Sequence, residues 1–127
     1  MEVTWQAITE ASLWDLINAA ENRMAPDVAR FWEVIRIDPV KWRQHPWGDL
    51  GGGFWVVAVI GSTVVWFSDI EDGFNVSSHA GFEEIRDYAC NQDDLDVALV
   101  QLLHLVRTGT PIVGRASPPI AGQFAGG

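Results

Sequence analysis

From residue 46 to residue 75 the chain reads PWGDLGGGFWVVAVIGSTVVWFSDIEDGFN, with apolar positions on both parities. Continuous apolar runs of this length, broken by turn signals, mark strands that are covered on both faces. Phe54–Ile60 and residues 63–70 are predicted as two such strands, joined by Gly61-Ser62 in a tight hairpin turn. In the simplest register Ile60 faces Thr63 and Val57 faces Trp66. One face then carries Phe54, Val56, Ala58, Val65 and Phe67, and the other Trp55, Val57, Val59, Val64 and Trp66. Asp72-Gly73 signals a second hairpin into residues 74–78, and Ala80-Gly81 leads to a further strand over residues 82–88. The run EEIRDY within that last segment also suits a helix.

Upstream, the spacing predicts a helix over residues 9–24. Thr9 is a good N-cap, Ile8 and Leu13 occupy the hydrophobic-staple positions, and Leu13, Leu16, Ile17, Ala20 and Met24 form one stripe. Pro26 stops this helix and starts a short second one through Val28 and Ala29. Residues 31–37 alternate as a strand that Asp38-Pro39 ends, and residues 40–49 read as irregular. At the far end Asn91 is the expected cap of a helix over residues 92–108, striped by Leu95, Ala98, Leu99, Leu102 and Val106 and closed by Gly109. The predicted fold class is therefore α+β: an antiparallel β-meander of four to five strands with N-terminal and C-terminal helices packed on it. One domain is expected over residues 1–113, with a Gly/Pro-rich flexible tail over residues 114–127. Helices can cover one face of such a sheet. The candidate covers for the other are residues 40–49 with Trp42 and Trp47, the tail with Ile112, Val113 and Phe124, or a second copy of the chain, which would make a homodimer. The tryptophan segment is the favoured one.

Composition narrows the setting. The chain has 127 residues and a formal charge of −9, from 17 acidic and 8 basic groups. That charge disfavours nucleic acid and anionic membranes and favours a basic protein partner. Cys90 is the single cysteine, which suits a reducing compartment, and the first residues carry acids where a signal peptide would carry bases. A cytoplasmic protein is the expectation.

The chemistry-bearing residues form no recognised catalytic pattern. Residues 69–75, DIEDGFN, place Phe74 and Ala80 where a calcium loop needs Gly and Glu, so they read as an acidic hairpin tip. His45, His79, His104 and Cys90 lack metal-ligand spacing. Cys90 precedes a helix N-terminus, which favours a thiolate, but Asp93, Asp94 and Asp96 oppose ionisation. No catalytic residue, metal or cofactor is assigned. Two surfaces remain. The acids at the turn tips, Asp69, Glu71, Asp72, Asp93, Asp94 and Asp96, would meet a basic partner. Alternatively Trp42, Trp47, Asp49 and Trp55, in the Trp/Gly-rich loop 42–55, would bind a small molecule or peptide, with an enzyme activity included in that alternative.

The run WGD–GGGFWVV–VVWFSDIEDGFNVS resembles small acidic bacterial proteins of unknown function over about residues 46–78. In size, acidity and helix–meander–helix order the chain is similar to immunity proteins of bacterial toxin systems. The absence of a catalytic pattern and the charge of −9 with acids at turn tips point to a non-enzymatic acidic protein-binding domain, such as an immunity or inhibitor protein against a basic partner; the resemblance agrees with this by analogy and supplies no site residues.

Overall fold

The computed structural model describes residues 6–49, 51–81, 83–86 and 91–109. Cys90, residues 87–89 and the tail, with Ile112, Val113 and Phe124, lie outside the described residues. The elements run α1 (Glu10–Arg23), α2 (Pro26–Ile35), β1 (Arg36–Trp42), β2 (Phe54–Ile60), β3 (Thr63–Ser68), β4 (Gly73–Gly81), β5 (Glu84–Ile85) and α3 (Leu95–Thr108). The strands form one antiparallel sheet in meander order, β1-β2-β3-β4-β5. The class is α+β as expected.

Thr9 caps α1, its hydroxyl accepting from the N–H of Ser12, and Leu13, Ile17 and Ala20 are buried. Pro26 opens α2 at its first turn, but this helix does not stop at Ala29. It runs to Ile35, so residues 31–35 are helical and not a strand. Val28, Trp32 and Ile35 are spaced for one helical face and are the residues that α2 buries. The first strand starts only at Arg36 and runs through Asp38-Pro39 to Trp42, in a stretch expected to be irregular. Asp38 and Pro39 lie where the pairing to β2 shifts, between Arg36↔Ala58 and Val40↔Val56. An irregularity of this kind is a place where a proline costs no ladder hydrogen bond.

The β2–β3 hairpin turns at Gly61, φ +59, with Ile60 opposite Thr63 as expected. The register then slips. Val56, not Val57, lies opposite Trp66, because a bulge falls between Val56 and Ala58. Val57 and its neighbour Ala58 thus both face the helices, together with Val65, Phe67 and Phe74. Phe54 and Val56 turn to the opposite side with Val64 and Trp66, so the expected faces exchange at the bulge. The β3–β4 connection is also longer than Asp72-Gly73 alone. Ser68 pairs with Gly73 across residues 69–72, and Asp72 N–H closes the turn on Ser68 O at 2.7 Å. Of residues 82–88, Glu84–Ile85 form the short strand β5. Asp94, not Asn91, holds the N-cap position of the last helix, without a side-chain capping bond, and the Asn91 N–H is instead held by the buried side chain of Asn75 at 2.7 Å. Gly109 ends it at φ +77.

The three helices cover one face. Their buried residues, including Leu13, Ile17, Trp32, Leu95, Leu99 and Leu102, pack on Val57, Val65, Phe67 and Phe74. The other face is covered by the sheet itself. Beyond Trp42 the chain meets β5: Arg43 N–H donates to Glu83 O at 2.9 Å, and Ile85 N–H donates to Arg43 O at 2.8 Å. The sheet curls until its two ends touch, and Trp42, Phe54, Val56, Val64, Trp66 and Ile85 fill the inside. Trp42 therefore belongs to the cover of this face and Trp47 does not, since it stays exposed. The Trp66 ring lies 4.7 Å from that of Phe54, and its indole N–H donates to Ser77 Oγ at 3.0 Å. A buried polar tip needs such a partner. Replacing Trp66 with Ala should cost about 3–5 kcal/mol in denaturant unfolding, whereas a loss within about 0.5 kcal/mol, the surface range, would contradict its place inside the curl.

Candidate functional site

Antiparallel meanders put alternate connections at the same end. Here the β1–β2 loop and the β3–β4 turn share one end of the sheet, away from the Gly61 hairpin. The segment before α3 joins them there. Phe74 N–H donates to Asp93 O at 2.8 Å, along the edge of β4 not used by β3. Gly73 is what permits this approach: a Cβ at that position would lie 2.3 Å from Gln92 Cα. The two acidic stretches, residues 69–72 and 93–96, are thus stitched together.

Between them and α1 lies a depression of about 220 Å³, lined by Leu16, Ala19, Arg23, Phe67, Asp72, Phe74, Asp93, Asp94 and Leu95. Phe67, Phe74 and Leu95 give it a buried apolar floor, and three aspartates and Arg23 make up its charged lining. Three of the six acids expected on a partner surface, Asp72, Asp93 and Asp94, line it. Asp96 lies beside it and pairs with Arg23 at 2.9 Å, while Asp94 approaches the same guanidinium at 3.6 Å. Asp93 also accepts from the Gln101 side chain at 3.4 Å. Glu71 is half-buried, and its N–H donates to Ser68 Oγ. Asp69 has a different job: its carboxylate accepts the Ile8 N–H at 2.9 Å, fixing the entry to α1. Sequence reasoning missed Arg23, 73 residues from Asp96, and the apolar floor. Their one sequence signal was the placement of Arg23 in the last turn of α1, which reads equally well as dipole complementation.

The four residues of the alternative site do not converge. Trp42 is buried inside the curl, and the adjacent pairing Lys41↔Trp55 places Trp55 on the helix side. There the Lys41 ammonium sits 5.4 Å from the Trp55 ring centre and donates to Gly51 O at 2.6 Å. Trp47 and Asp49 lie on the β1–β2 loop, and both are exposed. That loop is braced. Gln44, itself buried, accepts Trp47 N–H at 3.3 Å through its side chain and Gly48 N–H at 2.7 Å through its carbonyl. Gly53 N–H returns to Gly48 O at 2.7 Å. Gly53 has φ +106 and sits so close to the Trp42 carbonyl that a Cβ would fall 2.4 Å from its oxygen. Asp49 is held by His45 Nδ1 at 2.8 Å.

Among the described residues, no group of three or more His, Cys, Asp or Glu side chains is placed to hold a metal ion, and no helix is long and apolar enough to cross a membrane. Comparison with protein-family models, with curated proteins and with solved structures finds no match.

Burial pushes the Asp69 carboxyl above the usual aspartate range, against the opposing effect of its hydrogen bond from Ile8. An unfolded chain ionises this residue near pH 3.9, before the folded protein does. As pH rises between the two values the unfolded state binds fewer protons, so stability falls across that window and the cost persists above it. Asp69→Asn keeps an acceptor for Ile8 and should abolish this fall when unfolding is followed from pH 3 to pH 7. An NMR titration placing the wild-type Asp69 carboxyl at or below about 3.9 would contradict the burial argument.

Proposed function

We propose that this chain is a non-enzymatic, acidic protein-binding domain of the immunity or inhibitor kind, directed at a basic partner. One observation carries the reading: acids from two stretches far apart in sequence line a single apolar-floored depression. The net charge of −9 adds a long-range field of the same sign. Size supports a protein partner over a small ligand. At about 220 Å³ the depression falls below the roughly 300–1,000 Å³ of small-molecule pockets, and suits a single side chain presented by a larger surface. The general likeness to small acidic bacterial proteins and to toxin-system immunity proteins supports the reading by analogy, as the lone cysteine supports a reducing, cytoplasmic setting.

Complementary charge acts first on encounter. Cross-linking and recovery at low salt from the native cells should yield a partner of net positive charge. Its association should slow as salt shortens the screening length to about 8–10 Å, and replacing Asp72, Asp93 and Asp94 together with Asn should slow it about 10-fold. A neutral or acidic partner with a salt-independent on-rate would refute the charge-based reading.

A further inference from the structure

The end of the sheet that carries the acidic depression also carries Trp47, which is 53% exposed. Large aromatic side chains are normally spent on the core, and Trp32, Trp42 and Trp66 are spent that way here. Trp47 is held out instead, and on a segment that has lost its freedom. Its N–H donates to the buried Gln44 side chain, the next residue's N–H (Gly48) donates to Gln44 O, and Asp49 N–H donates back to Pro46 O. Exposed tryptophans are frequent energetic centres of protein interfaces, and a braced backbone lowers the ordering cost that binding must meet. Two residues along the same turn, Asp49 offers a carboxylate that His45 holds in place at 2.8 Å.

An exposed indole with a carboxylate two residues along the same turn suits one kind of side chain. A guanidinium stacks flat on an indole and takes a carboxylate at its edge. We propose that Trp47 and Asp49 form an anchor for an arginine side chain of a basic protein partner, at the same interface as the acidic depression. The proposal rests on the protein-binding reading above and adds to it a residue that carries no charge. By the meander, this loop and the turn of residues 69–72 emerge at the same end of the sheet, from the neighbouring strands β2 and β3. A single partner surface can therefore reach both. Its arginine on Trp47 fixes the position, and further basic groups fall toward Asp72, Asp93 and Asp94.

An oligo-arginine peptide is the probe, with a citrulline peptide of equal length as the uncharged control. On titration of the isotopically labelled protein, the indole N–H signal of Trp47, assigned by its absence in Trp47→Phe, should move with the arginine peptide and stay in place with the citrulline one. Trp47→Ala should weaken arginine-peptide binding about 2- to 5-fold, the value of an exposed cation–π contact, with the unfolding midpoint unchanged. Trp47→Phe should recover part of the loss, and Asp49→Asn should weaken binding while Trp47 stays in place. Binding that survives Trp47→Ala intact but is lost when Asp72, Asp93 and Asp94 become Asn would overturn the anchor and leave the acidic-surface reading standing. A wild-type protein that treats the arginine and citrulline peptides alike would overturn both.

Discussion

Two backbone hydrogen bonds, Arg43 N–H to Glu83 O and Ile85 N–H to Arg43 O, join the ends of the sheet, and most of the architecture depends on them. A five-stranded sheet that is apolar on both faces has two surfaces to hide and three helices to hide them with. Laid flat, it would leave Trp42, Phe54, Val56, Val64 and Trp66 bare, a patch that soluble chains do not tolerate. Curling brings β1 against β5 and turns that face into an interior. It also pairs the chain just beyond β1 with β5, at the point where the two edges meet. The seam carries a cost at Glu83, whose φ of +70 is unfavourable for a residue with a Cβ by about 1–2 kcal/mol. Burial of the tryptophans behind it, each large side chain contributing about 1.5–3 kcal/mol, outweighs that strain.

Outside the curl, the helices are joined to the sheet through one mixed junction. Glu21 on α1 accepts from the Trp32 indole N–H of α2 and from the Arg36 guanidinium at the start of β1, both at 2.7 Å. Arg36 lies 5.1 Å from the Trp32 ring centre and 5.8 Å from that of Trp14. Three consecutive elements therefore share one partly buried ion pair flanked by aromatic faces. At the opposite ends of two helices, Arg107 of α3 pairs with Asp27 of α2 at 3.1 Å. These polar contacts set the direction in which the helices lie, while the apolar stripes supply most of the attraction.

The fold class was legible because continuous apolar runs bounded by turn signals mark β2 and β3, and a 3.6-residue period marks α1 and α3. What escaped the sequence has particular causes. Residues 31–37 satisfy both periods at once: Phe31, Ile35 and Ile37 alternate, yet Val28, Trp32 and Ile35 repeat as a helix, and Pro26 had already begun one. The slip at Val57 was invisible because a strand apolar on both faces has no polar residue to betray a change of side. Asn91 looked like a cap by residue type, but a tertiary contact with Asn75 uses its backbone and leaves Asp94 to start α3. The acidic surface was half legible. Composition and turn position pointed to the acids, but not to the pairing of Phe74 with Asp93 that brings them together, nor to Arg23 among them. The tryptophans of loop 42–55 could not be sorted into buried and exposed without knowing that the sheet closes on Trp42.

The bulge in β2 has a consequence for descent and comparison. Every other position in that strand has a parity, inside or helix-side, and losing one residue would reverse the parity of all that lie beyond it. Val57 is different: it and Ala58 face the same way, so a chain lacking residue 57 would alternate regularly and still place Phe54, Val56, Val59, Ala58 and Ile60 on the sides they occupy here. A relative could carry the same interior in a strand one residue shorter. Columns aligned without a gap at this point would then set inside residues against outside ones along half the strand, and the common origin of two such proteins would be hidden where their cores are most alike.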